Sequence, residues 1–314
     1  MTAGHPIGAT GVTVSPLGLG GAAVGQQFGP ATAAEVAATV RAALDAGVTF
    51  VDTSAYYGEG TGETLLGDAL AGVRRDAYTL CTKAGRLGRD RFDFTPAGVR
   101  ACVAGSLRRL RVGHVDILLG HDIEFADNFD DTLTQLVETL QALKQEGVCR
   151  AVGVSGLPLS LLRHVVETVP VDVAMSYCHL TLQDTTLLSE LLPAAAARGV
   201  AVLNASPLAM GLLTAAGPPG WHPAPAAVLA AARRAAAVCA ARGTDLATLA
   251  LQFSYSEGVA AGVAATVTGT ARREELLANL AAVRTPPDPD AVAAVRAALA
   301  DVWDVTWPSG RWTG

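Results

Sequence analysis

The chain has little charge and few aromatic residues. Of its 314 residues, 17% are charged and 5% are aromatic, whereas 50% are hydrophobic, which predicts a globular protein with a large core. The net charge is -6 and like charges never form a long run, which argues against a nucleic-acid surface or a polybasic membrane anchor. We therefore expect a small-molecule partner, with no nucleic acid and no membrane.

Long apolar runs are also missing. The most hydrophobic stretches, near 191–216 and 259–268, are interrupted by Arg198, Asn204, Pro207 and glycines before they reach the roughly 20 residues of a membrane span. Residues 1–13 have neither the basic nor the apolar part of a secretory signal, which predicts a cytoplasmic protein. The oligomeric state is left open by these observations.

The cysteines do not form a pattern. Their number is odd, they are widely scattered and they never occur as CxxC, which disfavours a disulfide framework and a zinc site. We expect reduced thiols in the core and no metal. The five are Cys81, Cys102, Cys149, Cys178 and Cys239.

Short runs rich in Val, Leu and Ala alternate with longer segments of helical periodicity, without a Ser/Gly-rich linker. The predicted strands are Leu17–Gly21, Thr49–Thr53, Tyr78–Thr82, Val115–Leu119, Ala151–Ser155, Val171–Met175, Val200–Asn204 and Val263–Thr268. The predicted helices between them are Thr32–Ala46, Gly62–Leu70, Thr95–Leu110, Thr132–Glu146, Pro158–Thr168, Asp184–Ala197, Leu246–Tyr255 and Arg272–Ala282. Eight such units predict a (β/α)8 TIM barrel, an α/β fold of ~250 residues, with residues 1–314 as a single domain.

The residues in excess of a minimal barrel fall in three places. They are a hairpin-like start (Ile7–Val14), an insertion after strand seven (Gly217–Pro225 with the helix Ala226–Arg242) and a C-terminal helix near Asp288–Val302. An insertion that follows strand seven should overhang the end of the barrel where TIM-barrel enzymes carry their active sites.

Four polar side chains follow consecutive predicted strands. Asp52 lies at the end of the second strand and Tyr57 just beyond it, Lys83 follows the third and His121 the fourth, so we expect them to meet at the catalytic end of the barrel. Each residue alone has an ordinary structural interpretation, such as a cap, an ion pair or a satisfied polar group. Together they suit proton transfer at a carbonyl or carbinol oxygen while a hydride moves elsewhere.

The roles of these four residues follow from their chemistry. Tyrosine titrates near ~10, and a neighbouring ammonium from Lys83 lowers that pKa. Asp52 can pair with Lys83 to hold it charged, and His121 can donate to the substrate oxygen. Arginine would suit the role of Lys83 less well, because a guanidinium is a wide fork rather than a point charge.

The segment Asp52–Gly58, with Lys83 in Cys81–Lys83 and His121 in Gly120–Asp122, resembles the aldo-keto reductase superfamily over nearly the whole chain. The resemblance implies that Asp52, Tyr57, Lys83 and His121 form the catalytic tetrad. Four further segments are similar to the subgroup of L-galactose dehydrogenases and bacterial aldose 1-dehydrogenases: 121–125, 156–159, 176–179 and 205–213. This subgroup implies oxidation of C1 of a free sugar, such as L-galactose, L-fucose or a D-threo-aldose, to a lactone.

The resemblance also implies a nicotinamide cofactor that lies extended across the barrel mouth. The implied cofactor-binding residues are Gly21, Ser155, Gly156, Met175, Ser206, Leu208, Gly211, Gly269, Thr270, Glu275 and Asn279. The resemblance assigns Ser206, Leu208 and Gly211 to the pyrophosphate region, and the last four residues to the adenosine region. Gly156 and Met175 stand where the family commonly has the Asn and Gln that bind the carboxamide, and Ala205 replaces the usual stacking tyrosine. Ser155 is the remaining candidate for the carboxamide.

Glu275 bears on the choice of nucleotide. Many NADPH-dependent relatives have an arginine there to bind the 2′-phosphate, whereas a carboxylate repels a phosphate and accepts hydrogen bonds from ribose hydroxyls. We therefore predict a preference for NAD, with NADP possible because Arg272 and Arg273 lie close in the sequence.

Four residues on predicted loops are candidates for the substrate: Tyr56, Asp122, Trp221 and His222. Aromatic rings cover the apolar side of a sugar, and Asp or His can bond its hydroxyls. The alternative for Trp221 is that it packs the insertion onto the barrel.

Three other functions use the same residues. The first is an NADPH-dependent aldehyde or ketone reductase, or a dehydrogenase of a non-sugar alcohol such as pyridoxal. The second is a non-catalytic nicotinamide-binding regulatory subunit. The third is a lyase or aldolase that uses Lys83 in a Schiff base, which Tyr57 and Asp52 fit less well.

Overall fold

The fold is a closed barrel of eight parallel strands surrounded by helices. A computed structural model describes residues 4–312. Its strands are β1 (His5–Ile7), β2 (Val12–Val14), β3 (Leu17–Gly20), β4 (Phe50–Asp52), β5 (Thr79–Ala84), β6 (Arg86–Gly88), β7 (Arg91–Phe92), β8 (Ile117–His121), β9 (Ala151–Gly156), β10 (Val173–Tyr177), β11 (Ala201–Ala205) and β12 (Ala265–Gly269). The barrel order is β3-β4-β5-β8-β9-β10-β11-β12, and β12 pairs with β3 to close it.

The helices alternate with the barrel strands. They are α1 (Ala33–Asp45), α2 (Thr61–Ala69), α3 (Pro96–Leu110), α4 (Phe129–Gln145), α5 (Leu159–Thr168), α6 (Leu192–Ala197), α7 (Ala226–Ala241), α8 (Leu246–Ala261), α9 (Arg273–Ala282) and α10 (Pro289–Ala298). Local sequence sets several of their starts. Thr32 and Glu35 form a capping box on α1, and Thr95 caps α3 with Pro96 at its first position.

The barrel strands are apolar on both faces, as expected for parallel strands with side chains inside and helices outside. Phe50, Ile117, Leu119 and Leu203 belong to one buried cluster, which also contains residues of β1 and β2. A larger cluster contains residues of the strands and of the helices that cover them. The barrel is therefore a packed core, and its chemistry is confined to the ends of the strands.

The predicted barrel and its three additions are confirmed. All eight predicted barrel strands are present, with boundaries shifted by one or two residues. Strands β1 and β2 pair as an antiparallel hairpin, the insertion after β11 leads into α7, and α10 lies near the C-terminus. All five cysteines are buried and free. The prediction of a single domain stays a prediction.

The structure differs from the prediction in four elements. Helix α8 continues through Gly258 and ends at Gly262, whose left-handed conformation terminates it, rather than at Tyr255. Helix α4 begins three residues earlier than predicted, at Phe129. The predicted helix 184–197 is instead a π-helical segment followed by the short α6, with Pro193 near its start. The hairpin β6–β7 was not predicted.

No helix among residues 4–312 is long and apolar enough to cross a membrane.

Candidate active site

The four predicted catalytic residues lie on one arc of the barrel mouth. Strands β4, β5 and β8 are consecutive neighbours, and their carboxyl ends carry Asp52, Lys83 and His121. Tyr57 follows β4 by five residues and reaches the same place through a turn. The order of strands therefore brings together residues that are far apart in the sequence.

Lys83 is at the centre of this arc. Its ammonium Nζ donates to both Asp52 carboxylate oxygens at 2.7 Å, to the Thr53 carbonyl at 2.9 Å and to the Tyr57 hydroxyl at 3.3 Å. Lys83 and Asp52 are almost completely buried. A charged pair of this kind is stable without water only when its hydrogen bonds are satisfied, and all three protons of the ammonium have acceptors.

The two titrating partners respond to burial in opposite ways. Burial alone lowers the pKa of Lys83, but the Asp52 carboxylate, together with Tyr57 and Cys81, raises that pKa above its ordinary value, which keeps the ammonium charged. Removal of water from the Tyr57 hydroxyl raises its pKa to about 12, although Lys83 acts to lower it. The lowering effect of Lys83 predicted from the sequence is therefore present but smaller than the effect of burial.

Tyr57 is held by a tight turn against a neighbouring loop. Its backbone N–H donates to the Ser54 carbonyl at 3.1 Å. The loop after β3 presses on the same turn, because a Cβ on Gly25 would lie 2.6 Å from Tyr57 backbone and side-chain atoms. Only glycine permits this close approach, so the two loops fix the tyrosine ring together.

His121 is buried beside the tyrosine. Its ring lies edge-on to that of Tyr57, with 5.7 Å between centroids. Its Nδ1 is 2.8 Å from the Ser54 hydroxyl, and its Nε2 is 3.7 Å from an Asp122 carboxylate oxygen. Burial lowers the pKa of His121 to about 3, so the imidazole is neutral at physiological pH.

A second polar cluster borders His121. Arg86, on the hairpin strand β6, donates to Asp122 at 2.5 Å and lies 3.9 Å over the Tyr56 ring. The Tyr177 hydroxyl donates to the other Asp122 oxygen at 3.3 Å. Two of the predicted substrate residues, Tyr56 and Asp122, thus lie next to the tetrad. Sequence reasoning missed Arg86 and Tyr177, although Arg86 follows Lys83 by only three residues.

Glu124 is a buried carboxyl that sequence reasoning also missed. One oxygen accepts from the Leu157 N–H and the Ser309 hydroxyl, at 3.1 and 2.9 Å. The other has no hydrogen-bond partner among residues 4–312. Burial and the nearby Asp122 raise the pKa of Glu124 to about 8. A charged residue between Ile123 and Phe125 is the signal that identifies it in the sequence.

The residues assigned to the pyrophosphate region lie after β11 in an unusual backbone. Ser206, Ala209, Met210 and Gly211 all have positive φ, between 46° and 93°. Such consecutive turns direct backbone N–H groups into a concave surface. The N–H groups of Ala209, Gly211, Leu212 and Leu213 bond to carbonyls of this same stretch at 2.8–3.1 Å, so only part of its main chain can face a ligand.

The residues assigned to the adenosine region lie at the start of α9. Within the described part of the chain, no side chain caps this helix, so its first N–H groups are free to bind an anion. The Thr270 hydroxyl donates to Glu275 at 2.5 Å, and Arg272 lies 3.7 Å from the same carboxylate. Asn279 is half-buried two turns further on. These features fit a dinucleotide.

The remaining cofactor candidates lie between these regions and the tetrad. Gly21 follows β3 and donates its N–H to the Asp52 carbonyl at 2.7 Å. The Ser155 hydroxyl faces the Gly120 carbonyl, and Met175 packs in the barrel core. A Cβ on Gly156 would lie 2.8 Å from a Glu124 oxygen, so Glu124 fills the space beside this glycine.

The two substrate candidates of the insertion contact other loop residues. Trp221 is 47% exposed and contacts Phe28, with 5.6 Å between ring centroids. His222 Nδ1 accepts from the Ala224 N–H at 3.1 Å, and its Nε2 lies 3.0 Å from the Ala209 carbonyl. Because both ring nitrogens are used by the backbone, the geometry favours a structural role for His222.

No cluster of three or more His, Cys, Asp or Glu side chains able to hold a metal occurs among the described residues.

Comparisons with known proteins agree with this arrangement. Residues 16–300 match the model of the aldo/keto reductase family. The chain is 41% identical over 310 residues to L-galactose dehydrogenase of Arabidopsis thaliana, covering 97% of this chain and 96% of that protein. It is 36% identical over 280 residues to D-arabinose 1-dehydrogenase of Saccharomyces cerevisiae, covering 84% of this chain and 81% of that protein.

A solved structure has the same fold. The holo form of an aldo-keto reductase from Bacillus halodurans superposes with a TM-score of 0.75 at 23% identity, covering 99% of this chain and 100% of the other.

Proposed function

Because the chain belongs to the aldo/keto reductase family, and is thus an NAD(P)-dependent oxidoreductase acting on CH–OH groups, we propose that it oxidises C1 of a free aldose to an aldonolactone. The proposed substrate is an aldose of the L-galactose, L-fucose or D-threo type, and the preferred cofactor is NAD. The names of two relatives, L-galactose dehydrogenase and D-arabinose 1-dehydrogenase, support a sugar substrate.

The observation that carries the proposal is the position of the Lys83 ammonium. It lies between the Asp52 carboxylate and the Tyr57 hydroxyl, with Nζ 3.3 Å from the phenol oxygen. An ammonium in this position favours the phenolate over the phenol. The ammonium therefore stabilises the phenolate that accepts a proton from the alcohol, although burial keeps Tyr57 mostly a phenol at neutral pH.

The proton moves within the tetrad. Tyr57 Oη takes the proton of the C1 hydroxyl, and the electron pair left on oxygen forms the C1=O bond of the lactone. When bound, the nicotinamide supplies the acceptor for the hydride that leaves C1. Tyr57 must be ionised before this step, and its high pKa makes the oxidation faster in alkaline solution.

His121 and Asp122 orient the sugar. A neutral His121 can donate one N–H to the C1 oxygen without a change in its charge. Asp122 accepts hydrogen bonds from a sugar hydroxyl, and Arg86 holds its carboxylate in place at 2.5 Å. The Tyr56 ring, which lies under the Arg86 guanidinium, provides apolar surface for the sugar.

The cofactor is held by backbone more than by side chains. The positive-φ loop at Ser206–Gly211 and the uncapped start of α9 would hold the pyrophosphate and the adenosine end. Glu275 would accept from the ribose hydroxyls and repel a 2′-phosphate, which favours NAD. Ser155 is the candidate for the carboxamide.

An absorbance assay tests this function. The purified chain is given NAD or NADP and a panel of free aldoses, and formation of the reduced nucleotide is followed. We expect turnover with an aldose and NAD, and a loss of about 100-fold or more in kcat for Tyr57→Phe, since a positioned acid or base contributes roughly 10²–10⁴-fold. The protein should still bind NADH, which separates loss of chemistry from loss of folding.

Two outcomes favour the competing functions. Reduction of aldehydes with NADPH, without oxidation of any aldose, would indicate the reductase. Binding of nucleotide without turnover of any alcohol or carbonyl compound would indicate the regulatory subunit.

A further inference from the structure

The Ser54 hydroxyl is the only side-chain group among the described residues that bonds the inner nitrogen of His121. Its Oγ lies 2.8 Å from His121 Nδ1. The same oxygen accepts the Tyr56 backbone N–H at 3.1 Å. Ser54 is completely buried, so water is not available to replace either partner.

The direction of the Ser54–His121 hydrogen bond follows from the available acceptors. If Nδ1 carried the proton and donated it, the Ser54 hydroxyl proton would have no acceptor within the described structure. A buried hydroxyl proton without an acceptor is costly. If Ser54 donates instead, Nδ1 accepts, the Tyr56 N–H keeps its acceptor, and both Ser54 Oγ and His121 Nδ1 are satisfied.

The outer nitrogen supports the same direction. His121 Nε2 lies 3.7 Å from an Asp122 carboxylate oxygen. A proton on Nε2 faces this negative charge favourably, whereas a lone pair there would face it unfavourably.

We propose that Ser54 is a positioning residue that fixes His121 in the tautomer with its proton on Nε2. The function of this tautomer rests on the proposed dehydrogenase activity: only an Nε2–H can donate to the C1 oxygen. Ser54 would then make His121 the donor of the hydrogen bond to the substrate oxygen, without touching the substrate itself.

Nitrogen NMR of the protein labelled with ¹⁵N-histidine tests the tautomer directly. The two ring nitrogens of a neutral imidazole have distinct shifts, and the His121 signals are assigned by comparison with a His121→Asn sample. In the wild-type protein we expect a protonated Nε2 and an unprotonated Nδ1. A proton on Nδ1 would overturn the proposal, whatever the behaviour of any Ser54 variant.

The Ser54→Ala variant tests how the loss of the Ser54 hydroxyl affects the His121 tautomer and the rate of oxidation. We expect its His121 signals to move toward a mixture of tautomers, and kcat to fall about tenfold with little change in KM, a part of what a positioned acid supplies. Ser54→Thr, which keeps the hydroxyl, should restore both. A Ser54→Ala protein with unchanged His121 signals, or with a raised KM and an unchanged kcat, would show that Ser54 only supports the turn.

A matched control is Ser106→Ala in α3. Ser106 is also completely buried, and its hydroxyl donates to the Cys102 carbonyl at 3.2 Å and accepts from Arg109 at 3.4 Å, whereas none of its hydrogen bonds within the described residues reaches the tetrad. Its removal should change neither kcat nor the His121 signals. If the protein oxidises no aldose, the proposed dehydrogenase activity is wrong. The NMR measurement does not depend on turnover, so it still decides the tautomer of His121.

Discussion

The two sides of the barrel mouth are built differently. On the side of β4, β5 and β8, charged and polar side chains bond to one another: Lys83 to Asp52 and Tyr57, and Arg86 to Asp122. On the side of β11 and β12, the loop from Ser206 to Gly211 and the start of α9 present backbone, and polar side-chain contacts are few and local.

This difference separates chemistry from binding. Proton transfer requires particular groups at fixed distances, and the side of β4, β5 and β8 forms these contacts without a ligand. Holding an extended dinucleotide requires N–H groups and space, which many sequences can supply. We therefore expect substitutions at the tetrad to have much larger effects than substitutions around the cofactor.

The largest effect is expected for Lys83→Met. This change leaves the buried Asp52 carboxylate without its cation, which costs about 3–5 kcal/mol of stability. It also removes the charge beside Tyr57, so oxidation should be abolished. Chemical denaturation and the aldose assay measure the two effects.

The chain offers a matched control in its other lysine. Lys144 pairs with Asp172, but both side chains are partly exposed, so Lys144→Met should cost about 1 kcal/mol or less and leave kcat unchanged. Equal destabilisation by the two variants would contradict the comparison between the buried catalytic pair and an ordinary ion pair.

The next largest effect is the pH dependence of oxidation. Because burial raises the pKa of Tyr57 to about 12, the ionised fraction grows about tenfold per pH unit well below that value. We expect kcat/KM to rise continuously from about pH 7 to about pH 9. His121 should add no inflection near neutrality, because its pKa is lowered to about 3. A rate that falls over this range would contradict Tyr57 as the base.

A smaller effect concerns stability at Glu124. Its pKa is raised from 4.5 to about 8, so the folded state holds a proton that the unfolded state has lost between these values. Its contribution to stability is therefore full below pH 4.5 and decreases as the pH rises toward 8, by up to about 1.4 kcal/mol per pH unit. Glu124→Gln should remove this decrease.

The melting temperatures of the wild type and of Glu124→Gln, measured across this pH range, give the difference in stability between the two proteins. Between pH 6.5 and 8 the lowered pKa of His121 no longer contributes a slope, so the Glu124 effect is seen most clearly there. Parallel curves for the two proteins would mean that Glu124 is ionised in the folded state.

The smallest effect is expected on the cofactor side, for Glu275→Gln. Removal of this exposed carboxylate should lower the KM for NADP several-fold, by less than the roughly tenfold change that corresponds to 1.4 kcal/mol, and leave kcat with NAD nearly unchanged. Kinetics with both nucleotides measure it. A loss of kcat comparable to that of a tetrad variant would remove the distinction between the two sides of the mouth.

The sequence predicted the barrel strands well because each is a short apolar run between helical segments. It was less accurate where tertiary contacts decide the element. Helix α8 continues past Gly258, where a Cβ would lie 3.3 Å from the Thr266 hydroxyl, a tight contact that glycine avoids. The short hairpin β6–β7 has no comparable pattern, and it carries Arg86 to the mouth.

For the site, the sequence by itself determined which residue types follow β4, β5 and β8, and the barrel then made their meeting a geometric necessity. Only the tertiary structure decided their partners. It placed Ser54 behind His121 and Arg86 against Asp122, and it packed Tyr57 closely enough for burial to raise its pKa despite the neighbouring ammonium. Hydrogen-bond direction and desolvation depend on every atom around a group, and that information is absent from the spacing of residues along the chain.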